Sequence, residues 1–153
     1  MKNLKSLTIL GILLIAAVPT FAASSTADIA VSANVAKMCE IEAGSIDFGA
    51  YDPWSATAVN GSGTFRVRCT KSADAVTVGL GDGLNLDRTM GNGTDFLAYS
   101  LLDGAAAWTD AAPKSVTFAT SGWQTLTISG TLAAGQDVSD GSYTDTVVAT
   151  INF

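Results

Sequence analysis

Residues 28–36 of the chain read DIAVSANVA. The apolar members of this stretch share one face of an extended chain: Ile29, Val31, Ala33 and Val35. The polar side chains fall on the opposite face, together with two small alanines. This alternation predicts a β-strand with one buried face. The stretch precedes Cys39, where the first strand of the main domain is predicted to begin, so it is a strand that this domain does not need for itself.

A second alternating segment lies at the opposite end of the sequence, over residues 143–153. It predicts a closing strand with these residues at its inward positions: Tyr143, Val147, Ala149, Ile151 and Phe153. We expect Ile151 and Phe153 to be core residues, because the alternation runs unbroken to the last position. A β-domain that begins with a spare strand and stops inside another predicts subunits that complete each other.

Residues 1–22 have the pattern of a secretory signal peptide. Lys2 and Lys5 precede a short apolar run over residues 7–18, and small residues lead to a cleavage position after Ala22. The apolar run is shorter than a comfortable membrane span. The sequence therefore predicts export of the chain.

The remaining chain divides into a short N-terminal extension, residues 23–38, and a single domain, residues 39–153. Short alternating segments separated by glycine-rich turns predict an all-β sandwich without helices. Two segments are predicted as loops from their small and polar residues, 55–63 and 81–95.

The composition excludes several classes of function. The chain carries 14 acidic residues against 8 basic ones and has no basic stripe, which argues against a nucleic-acid partner or an anionic membrane surface. It has no histidine, so a Ser-His-Asp or Cys-His catalytic arrangement is excluded. We expect no catalytic residues and no cofactor.

The two cysteines of the exported chain, Cys39 and Cys69, are predicted to form a disulfide, because thiol pairs in an oxidising compartment are usually bridged. Two cysteines without a histidine do not make a structural zinc site. One group of oxygen-bearing side chains leaves calcium open as an alternative: Asp82, Asn85, Asp87 and Asp95. Their spacing matches no recognised calcium loop, and such residues are typical turn formers.

The three tryptophans leave a sugar-binding face open. Trp54 and Trp108 lie in predicted loops, where a tryptophan can instead plug one end of a sandwich. Trp123 is out of phase with the strand that follows it and is predicted to be partly exposed. The structural role is the favoured interpretation for each of them.

An ordered set of short motifs runs through the domain: Cys39-x-Ile41, Phe48-Gly49-x-Tyr51-x-Pro53, Cys69-Thr70, Arg88-x-Met90, Leu97-x-Tyr99-x-Leu101 and Trp108. The most specific part is the tail, Gly135-Gln136-x-Val138-x-x-Gly141-x-Tyr143-x-Asp145-x-Val147, ending on Ile151-x-Phe153. With these motifs, the segment from Cys39 to Phe153 resembles the spore coat protein U-like domain, which is the pilin domain of archaic chaperone–usher fimbriae.

This resemblance implies an incomplete immunoglobulin-like β-sandwich that lacks its final strand. A periplasmic pilus chaperone would fill the gap during export, and an outer-membrane usher would receive the subunit. The donor strand of an identical or related pilin subunit would then replace the chaperone, by strand addition to an open edge. The donor positions would be Ile29, Val31, Ala33 and Val35. The resemblance implies a route through the periplasm to a cell-surface fimbrium that serves adhesion and biofilm formation.

Two alternatives stay open beside this interpretation. The first is a secreted carbohydrate- or surface-binding β-sandwich that acts as a monomer with an intact edge. The second is a coat protein that assembles without an usher. A disordered tail is the alternative to a donor strand over residues 23–38.

Overall fold

The computed structural model describes residues 21–153, and the predicted signal segment, residues 1–22, lies almost entirely outside that range. Residues 35–153 form one compact unit, and the residues before Val35 belong to a separate unit. Residues 23–34 have no regular secondary structure, and their side chains are exposed. Within the described residues there is no helix that could cross a membrane.

The compact unit contains nine β-strands, and residues 21–153 contain no helix. In chain order they are β1 Cys39–Asp47, β2 Val59–Cys69, β3 Ser72–Leu80, β4 Thr89–Gly91, β5 Phe96–Asp103, β6 Ala106–Ala107, β7 Lys114–Phe118, β8 Gln124–Leu132 and β9 Ala149–Asn152.

The strands form two antiparallel sheets. The larger sheet has the order β1-β2-β8-β5-β4, with the short β6 paired to β5. The smaller sheet has the order β7-β3-β9. The prediction of an all-β fold is confirmed, and alternation along each long strand puts one face of each sheet toward a shared core.

The core consists of Trp108, which follows β6, and alternating residues from both sheets: Phe65, Val67, Cys69, Val76, Val78, Leu80, Leu97, Tyr99, Leu101, Val116, Phe118, Leu126 and Leu132. Trp108 is fully buried, and its indole Nε1 donates a hydrogen bond to the carbonyl of Val78 at 2.7 Å. The ring lies beside Phe65, with 5.8 Å between ring centroids. Trp108 therefore supports the core and lines no sugar-binding face.

Arg88 is the buried charged residue of the core. Its Nη2 donates hydrogen bonds to the carbonyls of Leu80, at 2.6 Å, and Trp108, at 3.0 Å. These bonds tie the end of β3 to the segment that carries the buried tryptophan. The guanidinium of Arg88 thus donates to two backbone carbonyls that would otherwise be buried without partners.

The other two tryptophans differ from Trp108. Trp123 is partly exposed, as predicted, and lies under the guanidinium of Arg68, 4.6 Å from the ring centroid. Trp54 is 96% exposed, so the interpretation that it plugs an end of the sandwich is wrong. It follows Pro53 in a tight turn in which its backbone N–H bonds the Asp52 carboxylate, and this turn holds the ring away from the core.

Both loop predictions are partly wrong. Residues 59–63 of the predicted loop 55–63 begin β2, where Val59 lies opposite Leu132 of β8. Residues 59–63 all pair with β8, and residues 62 and 63 pair with β1 as well. Gly63 is required because a Cβ there would overlap the carbonyl of Ser45. Within the predicted loop 81–95, residues 89–91 form β4 against β5.

The closing strand is shorter than predicted. Only Ala149–Asn152 pair with β3 as β9, and the preceding residues 143–148 are not assigned to a long strand. Ile151 is half-buried against the core. Phe153 lies beyond β9 and is 59% exposed, so the prediction that it is a core residue is wrong for the single chain. The pairing of β9 with β3 ends at Asn152, so the backbone of Phe153 is not held in the sheet.

Candidate functional site

An open groove runs along one side of the sandwich, between β1 and residues 143–149. Its volume is about 670 Å³. The apolar residues that line it are Ile41, Ile46, Phe48, Phe65, Leu80, Met90, Leu101, Ile128, Val147 and Ala149. The groove exposes the interior of the sandwich, because several of these side chains pack directly against the core.

Each wall of the groove ends in a strand with a free edge. In the described part of the chain, β1 pairs only with β2, and β9 pairs only with β3. Each therefore presents unpaired backbone N–H and C=O groups on its other side, which is the template that a further strand uses.

The free edge that begins with β9 continues toward the residues that precede it. Thr144 exchanges both backbone hydrogen bonds with Gly91, at 3.0 and 3.1 Å, and Val148 accepts one from Gly81 at 2.9 Å. Thr144 and Val148, two even-numbered residues, thus bond inward to the 81–91 segment. Because successive backbone groups of an extended chain point to opposite sides, the odd-numbered residues point theirs outward. The edge open to a partner therefore extends over residues 143–152.

Side chains on this edge alternate in the same phase. Half-buried residues occupy the odd positions, Tyr143, Asp145, Val147, Ala149 and Ile151, and the residues between them are exposed. Four of the five predicted inward positions thus lie in this row, while Phe153 is exposed. The side chains of this row face the groove. The same odd-numbered residues also carry the outward-pointing backbone N–H and C=O groups.

Asp145 is the member of this row that the sequence prediction leaves out. Its Oδ2 accepts a hydrogen bond from the Tyr99 hydroxyl at 2.6 Å, and its Oδ1 accepts one from the Leu84 backbone N–H at 2.8 Å and one from Thr146 at 2.7 Å. Position 145 has the same phase as the predicted inward positions. The sequence prediction leaves it out because a charged carboxylate is not expected to face the interior.

The electrostatics follow from these contacts. Burial raises the pKa of Asp145, but the hydrogen bonds from Tyr99 and the neighbouring backbone outweigh it and hold the pKa below its ordinary value of 3.8. Burial, and then the Asp145 carboxylate, raise the pKa of Tyr99. The pair therefore stays as a neutral phenol and a carboxylate at neutral pH.

The opposite wall is shaped by a bulge in β1. The pairing with β2 shifts between Glu42 and Ser45, so β1 carries one extra residue there. Gly44 lies in the bulge, where a Cβ would overlap the carbonyl of Thr64. The bulge bends the wall so that Ile41 and Ile46 on either side both contact the groove.

A disulfide joins Cys39 and Cys69, the first residue of β1 and the last residue of β2. The sequence predicts this pairing. The bond ties β1, an edge strand, to the interior of the larger sheet. Further along the same strand pair, Arg68 and Glu40 form an ion pair at 2.6 Å on the outer face.

The predicted donor positions lie in the N-terminal residues. Ile29 and Val31 are 85% and 91% exposed, and Ala33 is exposed in the same unit. Val35, which belongs to the compact unit, is exposed as well. Residues 23–38 contain no strand, since β1 begins at Cys39. This stretch thus presents large apolar side chains to solvent, which costs free energy in the single chain.

Two of the four residues considered for calcium, Asp95 and Asn85, make hydrogen bonds that serve local structure. The Asp95 carboxylate accepts a hydrogen bond from the Ser139 backbone at 2.9 Å, and its hydrogen bonds with Ser139 lower its pKa. Asn85 donates to the carbonyl of Thr89 at 3.0 Å. Within residues 21–153, no three acidic, cysteine or histidine side chains come together in a way that would hold a metal ion.

Comparisons with known proteins agree with this architecture. The family model described as the Spore Coat Protein U domain matches residues 25–150. "Protein U" of Myxococcus xanthus is 37% identical over 164 aligned positions, which cover 92% of this chain and 91% of that protein.

Among solved structures, the chain is similar to one in the CsuC–CsuE chaperone–tip adhesion subunit pre-assembly complex from the archaic chaperone-usher Csu pili of Acinetobacter baumannii. The TM-score is 0.56 at 21% sequence identity, and the match covers 78% of this chain but only 40% of that one. At this identity the likeness concerns the fold. The family match and the 37% identical relative show that the chain belongs to the Spore Coat Protein U domain family.

Proposed function

We propose that this protein is a structural subunit of an archaic chaperone–usher fimbria, and that it polymerises by donor-strand complementation. The observation that carries the proposal is the groove of about 670 Å³, whose walls are two strand edges free of partners in the described chain. A strand inserted there would extend the smaller sheet and cover the exposed interior.

The N-terminal residues 28–36 have the properties that such a strand needs. Nine extended residues span about 30 Å at 3.3–3.4 Å per residue, and the open edge over residues 143–152 spans about the same length. Their apolar side chains occupy every second position, as a strand with one buried face requires. In this proposal the N-terminal extension of one subunit inserts into the groove of the next copy. Each subunit therefore donates one strand and accepts another.

The assignment of segments follows from this role. Residues 1–22 act as the signal peptide, residues 23–38 as the donor extension and residues 39–153 as the pilin domain. The similar solved structure is a complex of a chaperone with a tip adhesion subunit. A periplasmic chaperone therefore supplies the temporary strand in this proposal, an outer-membrane usher assembles the fibre, and the fibre serves adhesion and biofilm formation at the surface.

A coat protein that assembles without an usher is the second candidate. It is supported by the family description and by the 37% identical Protein U of Myxococcus xanthus. Both candidates use the same groove. Deleting neighbouring chaperone and usher genes distinguishes them: surface fibres seen by electron microscopy disappear in the fimbrial case and persist in the coat case.

Paired aspartate substitutions test the strand insertion that both candidates share. Val31→Asp places a charge in the apolar groove, which is a severe penalty unless the carboxyl is protonated. Ser32→Asp changes the adjacent, outward side chain and is the matched control. We expect Val31→Asp to abolish fibres while the subunit still folds with its chaperone, and Ser32→Asp to leave them nearly intact. Equal tolerance of both, judged by microscopy and by denaturant-resistant ladders on gels, contradicts the proposal.

A further inference from the structure

Asp145 is a fixed polar point in the otherwise apolar row on the acceptor edge. Both of its carboxylate oxygens are engaged, by Tyr99 on one side and by backbone N–H groups on the other. Gly83 makes room for the carboxylate in this position, because a Cβ there would overlap Oδ2, and its φ of +90° also favours glycine. Any strand that pairs with residues 143–152 must therefore place one side chain beside this carboxylate.

The side chain beside Asp145 is restricted in size and polarity. A long apolar side chain would displace water from an ionised group or push it off its hydrogen bonds, and both are costly. A small side chain leaves the carboxylate and its partners undisturbed. Val147, one neighbour of Asp145 in the row, imposes no such restriction because its side chain is apolar. The other neighbour, Tyr143, is uncharged, and its hydroxyl already donates a hydrogen bond to the carbonyl of Ser139 at 2.8 Å.

The donor row contains one small residue between larger ones, Ala33, flanked by Val31 and Val35. In antiparallel pairing, Ala33 opposite Asp145 places Val35 opposite Tyr143. It also places Val31 opposite Val147 and Ile29 opposite Ala149. Each larger donor side chain then meets an apolar residue.

The other arrangements are less favourable. Shifting the antiparallel strand by two residues brings either Val31 or Val35 against the carboxylate. A parallel strand with Ala33 at Asp145 instead brings Lys37 opposite Ala149, which puts a charge in the apolar part of the groove.

We propose that Asp145, held by Tyr99, sets the register of strand exchange between copies of this chain by selecting Ala33 of the incoming antiparallel strand. This inference rests on the proposed strand exchange and adds to it a defined alignment. Asp145 acts as a specificity-determining residue here, and its partner is residues 28–36 of a second copy.

Cysteine cross-linking between two differently tagged full-length chains tests the alignment. In the proposed register, the exposed Ser32 and Thr146 form a non-hydrogen-bonded pair, in which Cα atoms are about 4.5 Å apart and a disulfide can close. One chain carries Ser32→Cys, and the other carries Thr146→Cys. The matched controls replace Thr146→Cys by Thr144→Cys or Val148→Cys, each shifted by two residues along the same exposed face.

We expect a mixed dimer on non-reducing denaturing gels for position 146 and at least about tenfold less for positions 144 and 148, since a two-residue shift moves the cysteine about 7 Å along the strand. A mixed dimer at 144 or 148 in place of 146 overturns the register but leaves strand exchange standing. A mixed dimer at none of the three positions overturns both proposals.

A pair of alanine substitutions tests the selection itself. Ala33→Leu places a large side chain against Asp145, whereas Ala30→Leu makes the same change on the outward face. Using chains that also carry the cross-linking pair, we expect Ala33→Leu to lower the yield of the 32–146 dimer about tenfold. Ala30→Leu should leave it unchanged. Equal yields for the two variants overturn the role assigned to Asp145.

Discussion

The indole nitrogen of Trp108 donates a 2.7 Å hydrogen bond to the carbonyl oxygen of Val78, in the central strand of the smaller sheet. Trp108→Phe removes this donor and leaves a smaller ring beside Phe65. We expect a loss of about 2–4 kcal/mol in the free energy of unfolding, from the unpaired carbonyl and the residual cavity. Urea unfolding of the purified chain measures it. Trp123→Phe, at a partly exposed ring, is the control and should cost much less.

Replacing both Cys39 and Cys69 by serine should lower the free energy of unfolding by about 3–4 kcal/mol, because the bond closes a loop of about 30 residues in the unfolded chain. The measurement is denaturant unfolding with and without a thiol reductant. The wild-type protein should lose stability on reduction, while the double variant should not respond. A reductant effect of equal size in both would contradict the expectation.

Tyr99→Phe should destabilise the fold at neutral pH by removing a hydrogen bond from Asp145. The folded-state pKa of Asp145 lies below its ordinary value of 3.8, so the stability from its ionised form is present above that value and is lost as the pH falls through the folded-state pKa. The stability difference between wild type and variant should therefore shrink in acid. Thermal unfolding from pH 7 down to below pH 3 measures it, and a constant difference would exclude this origin.

Gln136 is expected to be a structural residue. Its side-chain amide accepts a hydrogen bond from the backbone N–H of Ala98, at 2.7 Å, and donates one to the carbonyl of Ala98, at 2.9 Å. Gln136→Ala should cost about 1–3 kcal/mol of stability. Gln136→Glu keeps the acceptor but puts a second oxygen against the Ala98 carbonyl, so it should cost at least as much. Chemical denaturation measures both. A fully stable glutamate variant would show that the donated bond is unimportant.

Much of the fold is predictable from the sequence, and the reason is alternation. Phe65, Val67 and Cys69 are buried at every second position of β2, as their spacing predicts. Most of the first residues of β2 have small or polar side chains and so escape prediction; they are held by backbone pairing with β8, and from Ser62 onward with β1 too. Local composition carries no signal of such pairing.

The groove is predictable in part. The inward positions at Tyr143, Val147, Ala149 and Ile151 follow from the same alternation. Two features do not. Residues 143–148 bond to the 81–91 segment and not to a long strand, which depends on distant residues meeting in space. Asp145 is inward because Tyr99 and Leu84 supply its hydrogen bonds, and neither residue is near it in the sequence.

The pairing of β2 with β8 has a kinetic consequence. Val59 lies opposite Leu132, and on the other sheet Leu80 lies opposite Ala149, so a ladder in each sheet joins residues roughly 70 positions apart. Sandwiches built from such distant pairings fold on a timescale of milliseconds to seconds, because the long loops must close before their contacts stabilise them. During that interval the unpaired edges are most exposed to other chains. Crowding of newly exported copies should therefore lower the yield of native subunit steeply, and a rise in yield on dilution would reveal it.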